Sequence, residues 1–125
     1  MSWWNQFDMV GKIENILSSC RNEHTDHHLG RPFMTGYQIA IAFAREHPAE
    51  FRAIDLKIGG RDLGERTSLS QQIARNLSMH IRESSPEVCR IEGGFLSGAD
   101  IDPLSFRDGE IVSSVKEPAI FRYRG

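Results

Sequence analysis

Residues 57–68 read KIGGRDLGERTS and lie near the middle of a chain of 125 residues. The segment is typical of the end of a β-strand, a glycine-rich loop and, at Ser68, the start of a helix. A helix start leaves backbone N–H groups unpaired, so this order predicts a place for an anion or another ligand. The candidate binding residues are Gly59, Gly60, Arg61, Arg66, Thr67 and Ser68.

The same loop has a second interpretation that needs no ligand. It lacks the G-x-G-x-x-G pattern, and the lysine that a P-loop places after its glycines is missing. Glycines with positive φ, followed by a hydroxyl that caps a helix, form an ordinary turn. The sequence therefore leaves two alternatives, a phosphate or nucleotide site and a plain turn.

Capping residues predict two helices around this loop. Ser68 and Gln71 fit a capping box that opens one helix. Thr35 and Gln38 fit another, and the helix that they open ends before Pro48. Because this second helix is apolar on nearly all sides, we expect it at the centre of the core.

A third helix is predicted at residues 3–20. Its apolar side chains recur in steps of four and three, which places them along one stripe of a helix. They are Trp3, Phe7, Val10, Ile13, Leu17 and Cys20.

Alternating patterns predict the strands. Residues 52–58 alternate polar and apolar side chains, a period of two that is typical of a half-buried strand. Residues 88–91 and 95–97 are predicted as short strands separated by glycines, and residues 119–124 as a last strand.

A hairpin is predicted at residues 104–113. Its centre, Asp108-Gly109, suits a two-residue turn of type I′, in which both central residues need positive φ. Such a turn pairs Phe106 with Ile111, apolar against apolar across the two strands.

Helices early and strands late predict an α+β domain. We expect one domain over residues 1–125, with three helices packed on one face of a small antiparallel sheet. The expected order is α-α-β-α, followed by β strands that include the Asp-Gly hairpin.

Charge and cysteine content narrow the classes of partner. The formal net charge is −2, so the overall field does not attract nucleic acid or an acidic membrane surface. Cys20 and Cys89 are too few for a disulfide framework, and we expect buried thiols in a reducing compartment. The chain shows no signal peptide and no apolar run that spans a membrane, which favours the cytoplasm.

A metal site is a separate hypothesis for the histidine-rich segment after the first helix. Cys20, His24 and His28 follow one another at a spacing of four, which aligns them if the helix continues. Zinc accepts Cys and His, but C-x-x-C and H-E-x-x-H are absent. Because the ligand set is incomplete, we predict no metal and no cofactor, with these three residues as the candidates if a metal binds.

The helix that follows Ser68 offers a DNA-binding hypothesis. Gln71, Gln72, Arg75 and Asn76 are residue types that read base edges in the major groove. A helix followed by a hairpin also suggests a winged-helix regulator. However, about twenty residues separate the two capped helices, whereas a helix-turn-helix uses three or four. A solvated helix face is the alternative.

No pattern in the chain predicts a catalytic residue. G-x-S-x-G is absent, and both cysteines are expected to be buried and inert. An enzyme would need a phosphate or nucleotide at the Gly59–Ser68 loop, or a metal at His24, His27 and His28. We therefore lean away from enzymatic activity.

A partner-binding surface is predicted from aromatic and basic residues. Phe121 to Arg124 alternate ring and guanidinium, and the adjacent Trp3 and Trp4 cannot both face one core. The candidate residues are Trp4, Arg122, Tyr123 and Arg124. The alternative is a last strand that closes the sheet over the core.

These patterns lead to one functional expectation. We expect a small cytoplasmic, non-catalytic binding or regulatory module whose partner is a protein, and a homodimer is a further hypothesis.

Overall fold

The protein has the α+β architecture that the sequence predicts. A computed structural model describes residues 2–20, 27–60, 68–107, 111–113 and 118–124. Within these residues the helices are α1 (Trp3–Gln6), α2 (Met9–Ser19), α3 (Gly36–Glu46), α4 (Pro48–Ile54) and α5 (Leu69–Arg82). The strands are β1 (Met34–Thr35), β2 (Ile91–Phe95) and β3 (Ala119–Tyr123), which form an antiparallel sheet in the order β1-β3-β2.

Both predicted capping boxes are present. The Thr35 hydroxyl accepts from the Gln38 N–H at 3.2 Å, and the Gln38 side chain accepts from the Thr35 N–H at 2.7 Å. Ser68 and Gln71 make the same two bonds at 3.2 and 3.0 Å. Because each box satisfies two backbone N–H groups, local sequence fixes where α3 and α5 begin.

Helix α3 lies at the centre of the core, as predicted. It packs against α2, α4, α5 and β3. Ile39 and Phe43 are fully buried on it, and α2 and α5 contribute their own apolar stripes. The largest fully buried apolar side chains are Phe43, Phe121, Met9, Ile13, Leu17, Ile39, Leu69, Ile73 and Leu77.

The predicted helix over residues 3–20 is interrupted, and the prediction of one helix is wrong at that point. Asp8 adopts the left-handed conformation, with φ of 48°, and caps α2 by accepting from the Gly11 N–H at 3.4 Å. A Cβ on Gly11 would lie 2.3 Å from the Asp8 carboxylate, so glycine leaves room for this cap. The apolar spacing does not reveal such a break, because it continues on both sides.

The predicted strand at residues 52–58 is also wrong. Pro48 starts α4, where its fixed φ suits the first turn, and the helix runs to Ile54. Phe51 and Ile54 pack against the core from one side of this helix. Asp55 ends it with φ of 58°, and the chain then continues to the buried Ile58 without strand pairing. The alternating residues 52–58 therefore include the end of α4 and the irregular segment after it.

The two short strands predicted at residues 88–91 and 95–97 are replaced by the single strand β2. Val88 belongs to a 3₁₀ turn, Pro86–Val88, and β2 runs through both glycines. A Cβ on Gly93 would lie 3.2 Å from the Phe121 ring of β3. Gly93 therefore lies within the strand because a neighbouring ring approaches it closely, and does not mark a turn.

The last predicted strand and the register of the hairpin are confirmed. Strand β3 is the central strand of the sheet. In the hairpin, Ser105 bridges Val112, and the Phe106 N–H donates to the Ile111 carbonyl at 2.7 Å. Phe106 therefore lies opposite Ile111, as predicted, but as a bonded pair, whereas a two-residue turn makes Arg107 and Glu110 the bonded pair. The residues of the turn, 108–110, lie outside the described part of the chain.

The capping of α5 gives a stability prediction. Ser68→Ala removes a buried hydroxyl that accepts from the Gln71 N–H and lies 3.0 Å from the Ser70 hydroxyl. We expect the free energy of unfolding to fall by about 1–2 kcal/mol in urea denaturation. Ser78→Ala, an exposed change on the same helix, is the matched control and should stay within about 0.5 kcal/mol of wild type. Equal losses for both variants would contradict the role of the cap.

Candidate functional site

The outer face of the sheet carries a group of contacts centred on Arg122, the Arg122 cluster. Phe121 points into the core, so strand alternation places Arg122 on the opposite face. Glu92 of β2 lies directly across from Arg122. One oxygen of its carboxylate, Oε1, accepts from Arg122 Nε at 2.8 Å and also lies 2.8 Å from Nη2. This charge-assisted contact ties β2 to β3 through their side chains.

The same guanidinium also binds the segment before β1. Its Nη1 donates to the Leu29 carbonyl at 2.6 Å and to the Arg31 carbonyl at 3.4 Å. The guanidinium carbon lies 4.4 Å from the centre of the Phe33 ring, within the range of a cation–π contact. Arg122, predicted as a partner-binding residue, is therefore engaged by its own chain.

Tyr123 lies on the helix side of the sheet, where it packs against the core while half-buried. The Arg31 guanidinium is 5.2 Å from its ring centre, and Arg90 Nη1 is 3.5 Å from its hydroxyl. This hydrogen bond is the main reason that the pKa of Arg90 lies above its ordinary value. Arg124, which follows, is exposed.

Trp4 lies in the core and does not contribute to a surface. It is 6% exposed and meets Trp3 edge to face at 5.9 Å. Trp3 is itself half-buried against the core. The Trp4 indole N–H is buried with no hydrogen-bond partner among the described residues. The four residues predicted to bind a partner thus do not form one exposed patch.

The start of α5, predicted as an anion site, already has its hydrogen-bond acceptors. The Leu69 N–H donates to the Lys57 carbonyl at 2.8 Å, and the Ser70 N–H donates to the Ile58 carbonyl at 2.9 Å. The Ser68 hydroxyl satisfies the next N–H. An anion would have to displace these acceptors, since the first donors of the helix are paired.

Packing and backbone conformation account for the two described glycines of this loop, without a ligand. A Cβ on Gly59 would lie 2.6 Å from the Tyr37 ring and 2.7 Å from the Ser70 hydroxyl. Gly60 has φ of 129°, a conformation that side chains rarely adopt. The remaining members of the predicted ligand site, Arg61, Arg66 and Thr67, lie outside the described residues.

The predicted DNA-reading residues all lie on α5, but most of their side chains make hydrogen bonds within this helix or at its start. Gln71 belongs to the capping box. Asn76 donates to the backbone carbonyl and the side-chain oxygen of Gln72, at 2.8 and 3.4 Å. Arg75 is exposed. Helix α4 lies between α3 and α5, which differs from the short turn of a helix-turn-helix.

The predicted metal ligands do not converge in the described part of the chain. Cys20 is half-buried and His28 is exposed, where its ring stacks on that of His27 at 4.3 Å. His24 lies outside the described residues. Among the residues that are described, no three potential ligands come together. Cys89 is exposed, which corrects the expectation that both thiols are buried.

Strand β2 presents a surface that the sequence patterns missed, the outer edge facing away from β3. The Arg124 N–H donates to the Arg90 carbonyl, and the Leu96 N–H donates to the Pro118 carbonyl. Arg90 and Leu96 therefore belong to pairs that are hydrogen-bonded across the two strands. Bonded and non-bonded pairs alternate along an antiparallel ladder, so the backbone groups of Glu92 and Gly94 also bond to β3. The N–H and C=O groups of Ile91, Gly93 and Phe95 therefore point outward. In the described residues no strand pairs with this β2 edge.

Exposed apolar side chains lie beside this edge. The Phe95 side chain is 78% exposed, the largest value among the exposed large apolar residues of the described chain. Leu96 follows at 38%. Phe95 shares the helix side of the sheet with Ile91, whereas Leu96 lies on the outer side with Arg122. An aromatic ring next to unpaired backbone groups is characteristic of a strand-binding edge.

No protein-family model, curated protein or solved structure matches this chain. Among the helices of the described residues, none has the length and apolar character needed to cross a membrane.

The Arg122 cluster gives a prediction that separates structural from partner-binding roles. Arg122→Ala removes the contacts to Glu92, Leu29 and Phe33, and we expect the free energy of unfolding to fall by about 2 kcal/mol. Amide exchange in residues 27–33 should become faster, because the segment loses its anchor. Urea denaturation and NMR exchange measure the two effects.

Arg124→Ala is the matched control, since it removes an exposed guanidinium two positions along the same chain. It should change stability by less than about 0.5 kcal/mol. If both variants unfold at the same urea concentration, the Arg122 cluster does not stabilise the fold.

Proposed function

We propose that this chain is a non-catalytic binding or regulatory module that recognises a protein partner through the β2 edge. Ile91, Gly93 and Phe95 offer outward N–H and C=O groups at the spacing that an added strand needs. The observation that carries the proposal is the Phe95 ring, 78% exposed beside a backbone edge with which no described strand pairs. Main-chain bonds supply affinity in such complexes, and side chains next to the edge supply specificity.

The composition of β2 supports this proposal. Proteins protect edge strands with lysine, proline or a β-bulge, because unprotected edges pair with other chains. Strand β2 reads IEGGF and pairs with β3 in an unbroken register, so it has none of these. Its one charged side chain, Glu92, is neutralised by Arg122. The strand therefore lacks the features that would keep another strand away.

Two further properties fit a protein partner in the cytoplasm. The net charge of −2 gives no general attraction to nucleic acid. The exposed Cys89 thiol suits a reducing compartment, where it is not driven into disulfides. We place the module in the cytoplasm on this basis.

A selection from a random peptide library tests the proposal. We expect enrichment of extended peptides with alternating apolar residues, because an added strand presents every second side chain to the same face. NMR should show slower amide exchange at Gly93 and Phe95 when such a peptide binds. Gly94 should not change, since its N–H already faces β3.

Matched variants sharpen this experiment. Phe95→Ala should weaken peptide binding about tenfold, as expected for an aromatic anchor. Leu96→Ala removes a neighbouring exposed side chain on the other face and should leave binding unchanged. Selected peptides that perturb α5 instead of β2 would contradict the proposal, as would a selection that enriches nothing when the protein is kept monomeric by dilution.

A further inference from the structure

We infer that the partner is a second copy of this chain: two β2 strands pair antiparallel about a two-fold axis at Gly93, and each Phe95 enters the cavity beside the other copy's Ile91. This inference rests on the proposed function, because it names the occupant of the β2 edge. A homodimer of this kind extends the three-stranded sheet continuously across the axis.

The backbone of the β2 edge is symmetric about its own centre. Its outward groups belong to Ile91, Gly93 and Phe95, with Gly93 in the middle. A two-fold axis at Gly93 places Ile91 opposite Phe95 of the partner subunit, and Gly93 opposite its own counterpart. Every one of these is a bonded pair, which exchanges both of its N–H···O bonds. The same edge thus serves both copies, as an isologous interface requires.

The side chains next to the edge are complementary under the same symmetry. A cavity of about 240 Å³ lies beside Ile91, and its other apolar walls come from Ile81 and Val88. Opposed residues of an antiparallel pair project from the same face, so Phe95 of the partner subunit lies on the side of the sheet that holds this cavity. Its volume is sufficient for a phenyl ring, since an enclosed apolar cavity of about 150 Å³ binds benzene. Ser84, Ser85 and Arg124 supply the polar part of the lining. The most exposed ring and this cavity are thus brought together.

Neither bulk nor charge opposes the pairing. At the axis glycine meets glycine, so no side chain separates the two backbones. Glu92 lies opposite Gly94 of the partner subunit, and its carboxylate keeps its 2.8 Å contacts with Arg122. Like charges directly opposite each other destabilise strand pairs, and this register contains none along β2.

These features favour a second copy over an unrelated segment. An unrelated peptide would use the backbone of the edge but would need its own aromatic residue at the right position. This chain carries that residue, Phe95, four positions from Ile91 on the same strand.

Sedimentation equilibrium over a range of concentrations tests the inference. We expect a mass that rises to twice the 14.2 kDa of the chain. Amide exchange at Gly93 and Phe95 should slow as the dimer forms, whereas exchange at Glu92 and Gly94, whose N–H groups face β3, should not depend on concentration. A dimer built on another surface would not produce this residue pattern.

Phe95→Ala should raise the dimer dissociation constant about tenfold or more, and Leu96→Ala should leave it unchanged. Both side chains are exposed, so circular dichroism should show an intact fold in each variant. A monomer at every concentration, or a dimer without protection at Gly93 and Phe95, would overturn the inference. If that monomer still binds selected peptides at β2, the proposed function stands, and if it binds none, both proposals are wrong.

Discussion

The burial of Phe121 under the helices determines how the sheet is built. The ring is 1% exposed and packs over Gly93 of β2, where an added Cβ would lie only 3.2 Å from it. Burying such a side chain contributes about 1.5–3 kcal/mol, and it fixes which face of β3 points inward. Since β3 pairs with both β1 and β2, its orientation sets the two faces of the whole sheet.

The two surface features follow from this orientation. With Phe121 inward, Arg122 is directed outward, where it meets Glu92 and the carbonyl of Leu29. With β3 in the middle, one edge of β2 pairs with β3, and no strand of the described residues pairs with the other edge. Arg122, which the sequence predicts as a partner-binding residue, therefore binds the segment before β1 of its own chain. The exposed aromatic side chain is Phe95, on the neighbouring strand β2. A central strand uses the backbone N–H and C=O groups on both of its edges for pairing, whereas an edge strand pairs along one edge.

Short-range signals in the sequence predicted the parts of the fold that short-range physics determines. The capping boxes at Thr35 and Ser68 and the hairpin register around Phe106 depend on residues a few positions apart, and all are confirmed. The central place of β3 and the course of β2 through Gly93 depend on contacts between distant segments, which periodicity does not encode. The exposed edge was missed for the same reason, because the glycines were interpreted as a break between strands.

The position of β3 also bears on the order in which the molecule folds. Strands β1 and β2 meet only through β3 among the described residues, and β1 is two residues long. Neither β1 nor β2 can pair until residues 119–123 are in place. Helices α3 and α5, in contrast, begin at capping boxes formed by residues three positions apart. We therefore expect the helices to form first and the sheet to be completed later, because its contacts close long loops of chain.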